Sequence, residues 1–121
     1  MKRAEPPSQY IRTIYKTPQY EAFYNSLPAR VQVKFDFVLN VVTTIYNVPI
    51  KFVKHLDNTN LYEMRVSIGT NEYRTILFAL DNANFIEAKY IILLNGFLKK
   101  DKSDYKKQID AATVILNNME L

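Results

Sequence analysis

Three short segments carry side chains whose types and spacing could do chemistry: Leu61-Tyr-Glu-Met-Arg65, Tyr73-Arg74 and Asn95-Gly-Phe-Leu-Lys-Lys100. The first two place arginines on strand-like runs. The third places two lysines just past an apolar run, at what reads as a glycine-marked strand end. Cations at fixed positions on a small sheet suit a phosphate-rich ligand, because guanidinium and ammonium groups donate charge-assisted hydrogen bonds to its oxygens. Glu63 precedes Arg65 by two residues and shares its face, and across a short turn Arg65 and Arg74 can reach one phosphate. The same residues also fit a cross-strand Glu63–arginine pair on a wet sheet face. Lys99 and Lys100 equally fit a strand-end pair that keeps an edge soluble.

Other candidates are fewer. His55, the single histidine, stands beside Lys54 in a loop. Histidine titrates near neutral pH and can serve as a general base, although a lone loop histidine also fits an ordinary surface position. Phe97 could stack on a base or be buried. There is no H-E-x-x-H, G-x-S-x-G or P-loop, and the acidic residues do not cluster as metal ligands would. Catalysis would therefore fall to Arg, Lys, His, Glu or Tyr, with no metal. Metal-free RNA cleavage is one reaction such a set can run. It needs cations around the phosphorane-like transition state, a base for the attacking 2′-hydroxyl and an acid for the leaving 5′-oxygen. Arginine suits the first task, being permanently charged and bidentate.

Composition bounds these readings. The chain has 121 residues, 48% hydrophobic and 23% charged, which suits one domain with one modest core. Its net charge is +4, and between Asn95 and Lys107 five lysines (99, 100, 102, 106, 107) stand against Asp101 and Asp104, a local balance of +3. Such a patch, Lys102 included, attracts phosphate backbones, and it also fits a solvated helix start. Cysteine is absent, so there is no disulfide framework or thiolate chemistry. The start lacks an apolar signal core, and the apolar run Tyr90 to Leu94 is far shorter than the ~18 residues that span a bilayer. The expectation is a soluble cytoplasmic protein.

The elements that must position these residues follow from pattern. Residues 1–8 read as a loose arm, and Tyr10–Tyr15 as a first strand. Thr17 caps a helix with Pro18 at its first position. The segment from Pro28 to about Asn47 is the longest helix, and Val33, Phe37 and Val41 widen its apolar face, which predicts a well-buried element. Residues 48–60 form a connection. Three strands follow, Leu61–Ile68, Tyr73–Leu80 and Phe85–Leu94, joined by turns at Gly69–Asn71 and Asp81–Asn84 as an antiparallel meander. Ser103 caps a last helix whose face carries Tyr105, Ile109, Ala112 and Leu116. The expected fold is α+β: an N-terminal strand and two helices, then a three-stranded meander completing a curved sheet, then a C-terminal helix. One helical layer would cover one sheet face and leave the other partly open to a large ligand.

The order L-x-E-x-R strand, Y-R strand, apolar strand with G-F-x-K-K and closing helix with I-x-x-A reads here as Leu61–Arg65, Tyr73-Arg74, Leu94–Lys100 and Ile109–Ala112. It resembles the RelE/ParE superfamily of type II toxins, most closely the HigB-like branch, over roughly Tyr10 to Leu116. The resemblance implies a single RelE-like toxin domain acting as a ribosome-dependent mRNA endoribonuclease. Arg65 and Arg74 would stabilise the transition state, and Lys99 and Lys100 would contact RNA or act as acid. Lys54 and His55 would supply the basic loop before the meander. It implies a cognate antitoxin, often with a helix-turn-helix domain, mRNA in the ribosomal A site as target, and no cofactor. Asn95 stands where many relatives have His. The superfamily also contains ParE-like toxins that act on DNA gyrase, and a basic RNA-binding module without toxicity is a third reading.

Overall fold

The computed structural model describes residues 10–119; the expected arm at residues 1–8 lies outside them. Strand β1 spans Thr13–Lys16, helix α1 Pro18–Asn25, helix α2 Ala29–Thr44, strand β2 Val53–His55, strand β3 Tyr62–Ile68, strand β4 Asn71–Ala79, strand β5 Tyr90–Lys99 and helix α3 Lys102–Asn117. The sheet order is β1-β5-β4-β3-β2. β1 runs parallel to β5 and every other pairing is antiparallel. The α+β expectation and the meander hold. None of the described helices is long and apolar enough to cross a membrane.

Local chemistry explains most boundaries. Thr17 Oγ1 accepts from the Tyr20 amide at 3.0 Å, with Pro18 following in the first turn. The same hydroxyl donates to the Leu94 carbonyl at 2.5 Å, which pins the start of α1 to β5. Gly69, at φ +59°, lets β3 turn into β4 through two residues. α2 ends at Thr44, three residues earlier than expected, because the chain becomes extended at Ile45. The buried Arg12 collects its end: Nη1 donates to the carbonyls of Val42 at 2.9 Å and Ile45 at 2.7 Å, and Nη2 to those of Tyr46 and Ile86 at 2.9 Å each. A cation at a helix C-terminus satisfies orphan carbonyls and complements the dipole.

Four expectations need correction. The third meander strand begins at Tyr90, not Phe85; Phe85–Glu87 is a 3₁₀ turn with the Asn84 side chain accepting from the Ile86 amide. Asp81 fixes this longer connection by accepting from the amides of Lys89 and Tyr90 at 3.0 and 3.1 Å. The strand then runs through Asn95-Gly96 to Lys99, so the glycine marks mid-strand rather than an end. Its smallness serves packing: a Cβ there would lie 2.3 Å from the Phe23 ring. Second, Asp101, not Ser103, caps α3, in a capping box with Asp104; Ser103 Oγ donates to the Asp101 carboxylate. Third, residues 53–55 inside the expected connection form β2, zipped onto β3.

The fourth correction concerns layers. α1 and α2 pack on one face of the sheet, against Met64, Val66, Tyr73, Leu77 and Leu93. α3 packs on the opposite face, with Ala112, Ile109 and Leu116 over Ile76, Ile92, Leu94 and Phe97. The sheet is therefore covered on both sides, and the face expected to be open is closed along β5 and part of β4. A bulge makes this possible: β4–β5 partners skip from Ile76–Asn95 to Leu77–Leu93, leaving Leu94 as the extra residue, and both Leu94 and Asn95 meet α3. α2 is also not fully buried, since Val33 is 68% and Phe37 53% exposed.

Candidate functional site

Strand register assembles the site. Side chains at directly opposed positions share a face, so the α3 side of the sheet carries three cross-strand rows. The first is Ser67–Glu72–Lys99, the second Arg65–Arg74–Phe97, and the third Lys54–Glu63–Ile76–Asn95. Arg65 and Arg74 are thus direct neighbours, as expected.

Two like charges side by side destabilise a sheet unless anions intervene. Glu63, buried, lies between them. One of its oxygens (Oε2) accepts from Arg65 Nε at 2.8 Å and lies 3.7 Å from Arg74 Nε. Its other oxygen accepts from the Tyr105 hydroxyl at 2.7 Å. That hydroxyl in turn accepts from Arg74 Nε at 2.8 Å. Arg74 Nη1 donates to Glu72 at 3.1 Å and to its neighbour's carbonyl, that of Tyr73, at 3.0 Å. Ser67 donates to the same Glu72 oxygen at 2.8 Å. The network is closed: two arginines, two glutamates, a phenol and a hydroxyl.

The network sets the ionisation of its members. Burial of Arg74 works against its charge, but hydrogen bonds to Tyr105 and Glu72 and the nearby Glu63 outweigh it, so its pKa is raised and it stays charged. Burial first, then the bond to Glu63, raise the Tyr105 pKa above that of a free phenol, so Tyr105 is held as a proton donor. The Ser67 hydroxyl, and with it Arg74, lowers the Glu72 pKa.

The two arginines differ in access. The Arg74 side chain is only 5% exposed and the Arg65 side chain 26%. Among the described residues, Arg65 bonds to other side chains only through Nε, which leaves both of its terminal amino groups for a ligand. Lys54 and Lys99 stand in the rows of this face, Lys100 and Lys102 follow at the end of β5 and the start of α3, and all four are exposed. Lys99 Nζ sits 5.6 Å from the Tyr105 ring centroid. The core of the site is thus charge-balanced and its rim is cationic. That arrangement holds a phosphate at the rim by charge and offers it directed donors from Arg65.

Two candidates are placed elsewhere than the sequence suggested. His55 pairs with Tyr62, on the sheet face opposite the arginines; its ring meets Tyr62 edge-on at 5.1 Å and its Nε2 is 2.7 Å from the Thr59 carbonyl. One strand position separates it from Lys54, and strand alternation sends the two to opposite faces. Phe97 shares the face of the arginines but is buried, edge-on to Tyr105 at 5.6 Å, so its ring presents no open platform. Asn95 ties β5 to α3 through the Gln108 side chain at 2.9 Å.

Sequence reasoning missed Tyr105 and Glu72. Tyr105 read as one more apolar-face residue of α3, yet a tyrosine on a packed face brings a hydroxyl that must find a partner. Glu72 lay next to a turn with no motif to mark it.

No curated protein matches the sequence. Residues 22–117 match the family described as Phage derived protein Gp49-like (DUF891). That span covers β2 to β5 and all of α3, and so every residue of the arginine network. The chain belongs to this Gp49-like family, a toxin family of type II toxin–antitoxin systems related to the RelE-like toxins.

Proposed function

We propose that this toxin is a metal-independent mRNA endoribonuclease of the HigB-like type that cuts messages in the ribosomal A site and arrests translation in the cytoplasm. The observation that carries the reading is the Arg65–Arg74 pair, with the terminal amino groups of Arg65 unengaged among the described residues, Lys54 and Lys99 on the same face, and Lys100 and Lys102 exposed just beyond Lys99. The scissile phosphate sits against Arg65, with Arg74 beneath it. The 2′-hydroxyl of the preceding nucleotide gives its proton to solvent water as its oxygen bonds to phosphorus, the bond to the 5′-oxygen breaks, and a 2′,3′-cyclic phosphate is left. Developing charge on the phosphate oxygens is met by the guanidinium groups. Lys99 donates the proton to the departing 5′-oxygen, while Lys54, Lys100 and Lys102 hold the flanking backbone. His55 lies on the other face and takes no part in this step. A cognate antitoxin, of helix-turn-helix type, neutralises the toxin.

One observation favours a second reading. Among the described residues, Nε and Nη1 of Arg74 are engaged by Tyr105, Glu72 and the Tyr73 carbonyl, with Glu63 at 3.7 Å, as those of a structural arginine would be. A non-catalytic, ParE-like toxin acting on gyrase would need nothing more of it.

The test is a cleavage assay on ribosomes programmed with a defined mRNA, in the presence of enough free magnesium for the ribosome, with free RNA in EDTA as the companion reaction. Discrete A-site cuts that fall by about a hundredfold or more in Arg65→Ala and Arg74→Ala support the proposal. Growth arrest by the wild-type chain without any RNA cleavage would replace it with the gyrase reading.

A further inference from the structure

Helix α2, which the sequence marks as buried, is left half bare by the structure. Its inner stripe, Val31, Phe35, Val38 and Val42, is buried in the core. Its outer side carries Val33 and Phe37, one helical turn apart and more than half exposed, flanked by Arg30 and Lys34. These four, with Ser67 and Ile68 at the end of β3, line a groove of about 410 Å³. Phe52 extends the apolar floor: its ring meets Phe37 edge-on at 6.2 Å, with Lys51 over it at 5.0 Å. Among the described residues no acidic side chain lines this groove.

We propose that this outer stripe of α2, with the end of β3, is a docking surface for an acidic amphipathic helix of a partner protein. A helix apolar on two sides is normally covered on both, and here only one is covered. The spacing of Val33 and Phe37, and of Arg30 and Lys34, is that of helix ridges, which a second helix fits with apolar anchors at i, i+3, i+4 and i+7. The cationic rim selects glutamate or aspartate flanks on that helix. A second copy of this chain fits poorly, since a two-fold interface would set Arg30 and Lys34 against the same cations. Single-stranded RNA fits poorly too: Val33 and Ile68 give bases nothing to stack on, and Phe37 is already engaged by Phe52 and by Lys34 at 5.6 Å. The apolar anchors Val33 and Phe37 and the cations Arg30 and Lys34 all lie on α2, and the groove touches the arginine network only at Ser67, so the inference stands whether or not the chain cleaves RNA.

The experiment titrates the whole chain with a synthetic helical peptide bearing leucines on one stripe and glutamates on its flanks. A matched peptide with lysines for glutamates and an oligouridylate serve as competitors. The acidic peptide is expected to bind with Kd on the order of micromolar, and the lysine peptide at least about tenfold more weakly. Phe37→Glu is expected to weaken binding about tenfold or more, and the double variant Arg30→Glu, Lys34→Glu to reverse the preference between peptides. These positions are exposed, and circular dichroism and the melting temperature verify that each variant is folded. Equal affinity for the two peptides, indifference to Phe37→Glu, a Phe37-dependent dimer of the chain by sedimentation, or displacement of the peptide by the oligouridylate would each overturn the proposal.

Discussion

Glu63→Gln tests the arginine network most directly, because it keeps the shape of the side chain and removes only its charge. Glu63 is 2% exposed and faces Arg65 at 2.8 Å, Arg74 at 3.7 Å and Tyr105 at 2.7 Å. At 3.7 Å, two unit charges attract by about 4–5 kcal/mol when the effective dielectric constant is near 20. Arg74 keeps Glu72 and Tyr105, which offsets part of that loss. The Arg65 pair is a quarter exposed and screened, so it adds only about 0.5 kcal/mol. The expected net loss is about 3 kcal/mol, the low end of what breaking a buried pair costs. In a domain of this size the melting temperature should fall by on the order of 10–15 °C. Urea unfolding followed by circular dichroism measures it, and the double variant Glu63→Gln, Tyr105→Phe should show coupling of about 1 kcal/mol, since the two share a bond. A loss below about 1 kcal/mol with no coupling would mean that the two arginines do not depend on Glu63, and the electrostatic account of the site would be wrong.

Three further outcomes follow from the geometry. Gly96→Ala should lower stability by about 1–3 kcal/mol, because its Cβ would meet the Phe23 ring at 2.3 Å and that ring is held by Tyr20 and Phe35; an unchanged urea midpoint refutes the packing argument. His55→Ala should leave the rate of RNA cleavage within about twofold of wild type, whereas a tenfold loss would bring His55 back into the chemistry. The Ser67 hydroxyl and Arg74 lower the pKa of Glu72 in the folded state, so its contribution is present above the ordinary value of 4.5 and is lost as the pH falls through the lower folded value. The urea midpoint should therefore decline with acidification in that window, and less steeply in Glu72→Gln; equal slopes would contradict the assignment.

Much of the architecture was legible because it rests on short-range signals. Thr17-Pro18 marked the start of α1, Gly69 the β3–β4 hairpin, and the alternation from Leu61 to Ile68 set Glu63 and Arg65 on one face, where the structure has them. The pairing of Arg65 with Arg74 then followed from turn length. Signals that compete locally were misread. Asp101 and Ser103 both fit a cap, and the capping box with Asp104 decided for the first. Phe85 looked like a strand start, but its ring is drawn into the core and Asp81 holds the backbone beyond it in a turn.

By itself the sequence determined the kinds of element, the face of each strand residue within its own strand, and the cationic character of the site. Tertiary structure decided which faces meet. β2 pairs with β3 in a register that turns His55 away from the arginines, and the bulge at Leu94 lets α3 close over the face expected to be open. That closure carries Tyr105 across the sheet to Glu63 and Arg74, a contact between residues 42 and 31 positions apart that no local pattern encodes. Periodicity marked Val31, Phe35, Val38 and Val42 as one face of α2, and these are the residues buried; that Val33 and Phe37, read as widening that face, stay bare was decided only by the packing of the helix on the sheet.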